Sequence, residues 1–213
     1  MSGELVQIPV GGASLEGELA SPAAPSGLVV FVHGSGSSRF SPRNNYVAGV
    51  LRDAGFATFL FDLLTESEDR VYANRFDIDL LIRRLVTVVR WLAAKREVGG
   101  LPVGLFGAST GAAAALGGAA ELGDAVQAVV SRGGRPDLAM AHLAQVAVPT
   151  LLIVGGLDTQ VIELNRSAYE HLGGPAHLEI VPGATHLFEE EGKLEQVAEL
   201  AADWFRQHLR RTD

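Results

Sequence analysis

The chain has 213 residues, 47% hydrophobic and 20% charged, a balance that suits one globular domain over residues 1–213 and is too apolar for a disordered chain. Its 17 basic residues stand against 25 acidic ones, a formal net charge of −8 with no basic block, which argues against nucleic acid or an anionic membrane as partner. With no cysteine, disulfides, thiolate metal sites and thiol nucleophiles are excluded together, and no apolar run reaches the roughly 18 residues of a membrane span.

The first residues, Met1 to Leu5, carry no basic segment leading into an apolar stretch, so a cytoplasmic protein is expected. Leu5 to Val10 and Ala13 to Ala20 flank Gly11-Gly12, the signal of a two-residue hairpin turn. Then come short continuous apolar runs, each suited to a strand buried on both faces: Gly27 to Val32, Ala57 to Phe61, Val103 to Phe106, Ala125 to Val130, Thr150 to Val154 and Leu178 to Val181. Between them the apolar spacing is helical, over about 43–54, 75–97, 110–122, 137–145, 160–172 and 190–210. Strand and helix alternate throughout. The expected fold is α/β: a mostly parallel, eight-stranded sheet with an N-terminal antiparallel hairpin and helices on both faces. The small residues Ala112 to Ala115 and Gly117-Gly118 are read as a helix packed closely on that sheet.

In such sheets ligands bind beyond the carboxyl ends of the strands, so the residues just past each apolar run carry the chemistry. After the third central run stands Gly107-Ala108-Ser109-Thr110-Gly111. A serine between two glycines at a strand-to-helix junction has the form of a nucleophile elbow, a turn too sharp for neighbouring Cβ atoms. A serine hydroxyl needs a base, and the base needs an anion that fixes its tautomer. Asp158, after Gly155-Gly156-Leu157, and His186, after Pro182-Gly183-Ala184-Thr185, come in the order Ser, Asp, His, each just past a strand. The catalytic set is therefore Ser109, Asp158 and His186. Two backbone N–H groups must meet the oxyanion: Thr110, next to the nucleophile, and Ser35, in the glycine-rich loop His33-Gly34-Ser35-Gly36. His33 itself is read as a brace for that loop.

These segments resemble the small α/β-hydrolases of the dienelactone hydrolase family. The likeness runs through His33 to Arg39, the elbow at Gly107 to Gly111, Ser131 to Pro136, Gly155 to Asp158 and Gly183 to Phe188. It implies an eight-stranded α/β-hydrolase sheet and a Ser109/Asp158/His186 triad. Dienelactone hydrolase proper uses a cysteine nucleophile, where this chain has serine. That departure moves the expected reaction from lactone opening to hydrolysis of small or short-chain carboxylic esters through an acyl-enzyme. Lactone hydrolysis or acyl transfer by the same triad is the alternative, and a non-catalytic ligand-binding scaffold a further one.

The expected partner is a small-molecule ester. No metal is indicated, because no histidine pair has the i, i+4 helical spacing, and no cofactor, because neither Gly-x-Gly-x-x-Gly nor Gly-x-x-x-x-Gly-Lys occurs. Only about 18 residues separate the strand ending near Ser131 from the one beginning near Thr150, too few for a cap domain. Gly34, Arg39 and Arg132 are candidate substrate contacts, and Arg132 and Arg135 have local acids such as Asp137 as alternative partners. The acidic segment Thr65 to Arg70 is read as solvated surface or a small flap at the site's mouth.

Overall fold

The computed structural model describes residues 3–211. Its strands are β1 (Glu4–Val10), β2 (Ala13–Ala20), β3 (Leu28–Val32), β4 (Ala57–Phe61), β5 (Val103–Ala108), β6 (Ala128–Arg132), β7 (Thr150–Gly155) and β8 (Ala176–Val181). They form one eight-stranded sheet in the order β1-β2-β4-β3-β5-β6-β7-β8. The helices are α1 (Pro42–Asp53), α2 (Glu66–Asp69), α3 (Ile78–Ala93), α4 (Thr110–Leu122), α5 (Met140–Leu143), α6 (Thr159–Tyr169) and α7 (Lys193–His208).

The hairpin forms where expected, with Gly11 at φ 55° and Gly12 at φ 87°, the two left-handed positions that a tight hairpin turn demands. β2 pairs antiparallel with β4, and every later pairing is parallel. All five residues of β3 are buried because helices cover both of its faces. Leu28, Val30 and Val32 enter the core shared with α3 and α4, whereas Val29 and Phe31 enter the core under α1 and α7. The small residues of α4 have a somewhat different neighbour from the one expected. A Cβ on Gly117 would run into Ile82, and one on Gly118 would lie 2.7 Å from Leu85 Cδ2, so the glycine pair admits helix α3 as well as the sheet beneath.

Several boundaries depart from the sequence reading, three of them for a visible local reason. Residues Gly123–Ala125 turn as a 3-10 helix with Gly123 at φ 53°, so β6 begins at Ala128 rather than Ala125. The helix expected over 137–145 is broken into a 3-10 turn, Pro136–Ala139, and the single turn α5. The long helix expected from residue 75 begins at Ile78, where the Asp77 side chain accepts the Leu80 N–H as an N-cap. No helix among the described residues is long and apolar enough to cross a membrane.

Candidate active site

Because β3 and β5 through β8 are parallel, the loops at their carboxyl ends gather along one edge of the sheet. Ser109 sits at the junction of β5 and α4 with φ 53° and ψ −125°, a left-handed conformation for a non-glycine residue and a mark of stored strain. Its neighbours explain why the sequence tolerates the turn. A Cβ on Gly107 would lie 2.5 Å from Ala112 Cα, and one on Gly111 would overlap the backbone carbonyls of Val32 and His33. Only glycine lets α4 fold back so closely on β3 and β5. Ser109 occupies the N-cap position of α4, yet its side chain caps nothing, so the hydroxyl is left for other use. The end of β6 and the turn after it clasp its backbone: Ser109 N–H donates to Arg132 O (3.2 Å), and Arg135 N–H donates to Ser109 O (3.0 Å).

Asp158 repeats the pattern two crossovers away, past the end of β7. It is the N-cap of α6 and its carboxylate caps nothing; it lies 2.6 Å from His186 Nδ1 instead. With that nitrogen donating, Nε2 is the ring's free acceptor. Asp158 is largely buried (16% side-chain exposure) and His186 half-exposed (38%), so the pair runs from the protein interior towards solvent. The His186 ring lies over Gly133: a Cβ there would come within 3.5 Å of Nδ1 and Cε1. Residues 132 and 133 thus carry the serine backbone on one side and the imidazole on the other. Asn165, fully buried in α6, fixes this turn by donating to Gly134 O (3.0 Å) and Val161 O (2.8 Å). Sequence reasoning missed Asn165, and no local motif marks it. Two residues beyond His186, Phe188 is fully buried at φ 56°, an anchor that sets the path of the histidine loop.

The loop after β3 closes the other side. Gly34 packs against the serine itself: a Cβ there would lie 2.9 Å from Ser109 Cβ. The Ser35 N–H donates to Thr110 Oγ1 at 2.7 Å. His33 braces the loop, as expected: its Nε2 accepts the Leu63 N–H (3.1 Å) and its Nδ1 donates to Gly34 O (2.9 Å). Burial holds the His33 pKa below the usual 6.5, against the opposing pull of the Gly34 carbonyl. The native state therefore keeps His33 neutral while an unfolded chain takes up a proton below about pH 6.5. Stability is fully present above that pH and falls as pH drops towards the lowered native value. Urea midpoints measured at pH 7.5 and 5.5 should decline, and the decline should shrink in His33→Gln.

The three candidate substrate contacts fall into different places. Gly34 touches the serine. Arg39 forms ion pairs with Glu16 and Asp62, and its N–H donates to Asp62 Oδ1 at 2.8 Å, so its charge ties the β3 loop to β2 and the end of β4. It lines a cavity of about 460 Å³ together with His33, Ser37, Ser38 and Phe40; Ser109 does not line it. Arg132 is buried (7% exposed), with its Nη2 donating to Asn44 Oδ1 at 3.3 Å and no acidic partner among the described residues. Desolvation, then the neighbouring Arg43, pushes its pKa down to about 10, which leaves it charged at neutral pH. Arg135 takes the local alternative and grips Asp137 through two bonds of 2.8 Å.

The acidic segment after β4 is more ordered than a solvated loop. Thr65 and Glu68 form a reciprocal capping box over α2, the Thr-x-x-Glu signature that the sequence carries and a reading by charge alone passes over. The next 3-10 turn, Tyr72–Phe76, bears Arg75, which is tied to Asp69 (2.7 Å) and passes close to Gly36. The segment thus lies beside the loop after β3.

A serine raised on a strained turn above the middle of a sheet in this strand order, beside an Asp–His pair from the two strands on one flank, defines the α/β-hydrolase class. Residues 15–210 match the model of the Dienelactone hydrolase family, and the chain belongs to that family. It is 53% identical to a solved dienelactone hydrolase from Anabaena variabilis, with a TM-score of 0.94 and 98% of each chain covered. It shares its fold with Est1E from Butyrivibrio proteoclasticus, at 16% identity, a TM-score of 0.82, and 95% of this chain and 98% of the other covered. A Mycobacterium tuberculosis protein carrying the name "Putative phosphoribosyl transferase" is 60% identical over 206 residues, which are 97% of this chain and 46% of that protein. The chain therefore spans about half the length of the curated relatives it matches.

Proposed function

We propose that the chain is a serine hydrolase of small or short-chain carboxylic esters, with Ser109 as nucleophile, His186 as base and Asp158 as orienting acid. The observation that carries this reading is the 2.6 Å bond between Asp158 and His186 Nδ1, at one edge of the sheet with a strained serine whose hydroxyl caps nothing. Nε2 of His186 takes the Ser109 proton as Oγ attacks the ester carbonyl. The tetrahedral oxyanion faces the first turn of α4, where the Thr110 N–H has no helical carbonyl to serve. His186 returns the proton to the departing alcohol, and water attacks the acyl-serine by the same route in reverse. The short turns that fill the segment between β6 and β7 add no cap, consistent with substrates of short acyl chain.

Asp158→Asn should lower kcat on 4-nitrophenyl acetate by about 10⁴-fold with little change in KM, since the amide favours the wrong imidazole tautomer. A drop below tenfold would remove Asp158 from this role.

Lactone opening is the second reading, favoured by the name of the Anabaena variabilis structure at 53% identity. Comparing kcat/KM for aryl acetates and for lactones of similar leaving-group acidity separates the two, with the acetates expected to react faster. The transferase name belongs to proteins about twice as long, and we assign only the hydrolase chemistry to the segment shared with them.

A further inference from the structure

We propose that the second oxyanion donor is the side-chain hydroxyl of Thr110, with the Ser35 amide acting behind it. The inference rests on the serine-hydrolase reading and deepens it. An amide carries one proton, and that of Ser35 is already given to Thr110 Oγ1 over 2.7 Å, at the short end of the range for N–H···O bonds. An oxygen that accepts this bond occupies the place, along the Ser35 N–H direction, where an oxyanion served by that amide would have to sit. Thr110 is buried (5% exposed), and a β-branched side chain in a helix has few rotamers with which to move aside.

The hydroxyl keeps a proton of its own, and no hydrogen bond donated by it is found among the described residues. A helical threonine can return that proton to the carbonyl three or four residues back. Thr110 is the first residue of α4, so the preceding turn that would supply such a carbonyl is strand β5. The side chain stands next to Ser109 in sequence and bridges to the loop that packs on Ser109 Cβ through Gly34. The chain of donors then runs from Ser35 N–H to Thr110 Oγ1–H to the oxyanion. A hydroxyl already accepting a bond is the more polarised donor for it. Thr110 serves twice, through its amide and through its hydroxyl.

The test compares Thr110→Val and Thr110→Ser with the wild-type chain on an oxo ester and on the matching thiono ester, whose sulfur accepts hydrogen bonds poorly. Valine keeps the shape and removes the donor. The expected result is a fall in oxo-ester kcat of about 10²–10³-fold in Thr110→Val, the usual effect of losing one such donor. KM should stay within about threefold, and the oxo-to-thiono rate ratio should fall by a similar factor. Thr110→Ser should retain activity to within about tenfold. If the hydroxyl only blocks the Ser35 amide, Thr110→Val frees that amide and kcat holds or rises, which overturns the proposal. Equal losses on both esters, with the ratio unchanged, would mark a structural role and overturn it as well. Loss of turnover in Ser109→Ala, set beside an active wild type, establishes that the hydrolase reading stands whichever way Thr110 falls; a wild type that turns over neither ester removes both.

Discussion

Ser109→Ala is expected to lower ester turnover by about 10⁶-fold, the scale seen when the nucleophile of a serine triad is removed, and to abolish labelling by a fluorophosphonate. The change deletes one oxygen that makes no capping bond and leaves the backbone turn in place, so thermal stability should stay close to that of the parent. That contrast makes the experiment informative: activity collapses while the fold persists. Ser109→Gly provides a counterpart. It is equally inactive, but it relieves a non-glycine residue held at φ 53°, a conformation that costs on the order of 1–3 kcal/mol, and so should melt above Ser109→Ala. Turnover in Ser109→Ala within tenfold of the parent would end the serine-nucleophile reading.

The second large effect is on folding. Gly111→Ala should destabilise the chain by about 3 kcal/mol or more, at the upper end of overpacking costs, because the added carbon meets the backbone carbonyls of Val32 and His33. Neither oxygen belongs to a side chain that can swing away, so α4 must lift from β3. Lifting also pulls Thr110 from Ser35, and any folded fraction should be inactive. Gly49 in α1 supplies the control. A Cβ there meets nothing nearer than Arg52 Nη2 at 3.8 Å, and Gly49→Ala should stabilise by roughly 0.5–1 kcal/mol through helix propensity. Urea midpoints for the two variants should move in opposite directions.

Much of the architecture was legible because its causes are local. Val29 to Val32 are apolar without interruption because they are covered on both faces, and Gly107 and Gly111 bracket Ser109 because the turn excludes Cβ atoms. The order of Ser109, Asp158 and His186 could likewise be read from the residues just past the carboxyl end of each strand. The bond between Asp158 and His186 is a consequence of β7 and β8 being neighbours in the sheet. The features that escaped depend on partners that the sequence does not bring near one another. Arg39 is neutralised by Glu16 and Asp62 only because β2, β4 and β3 are consecutive in the sheet, an adjacency that no local pattern around Arg39 encodes. Ser35 meets the Thr110 side chain across 75 residues, and Asn165 reaches Gly134 across 31. The capping box at Thr65 and Glu68 is different in kind: its four-residue signature is local, but the same acidic run fits a solvated loop equally well.

Loops after β3, β5, β6, β7 and β8 all contribute to one edge, and no two of those strands are consecutive in the chain without a crossover between them. The edge is complete only when every one of these loops is in place, including the one that follows the last strand, docked beside β7. During refolding, helical signal should recover well before a covalent serine probe finds anything to react with. Probe labelling in a crude sample should therefore report molecules in which all five loops have come together.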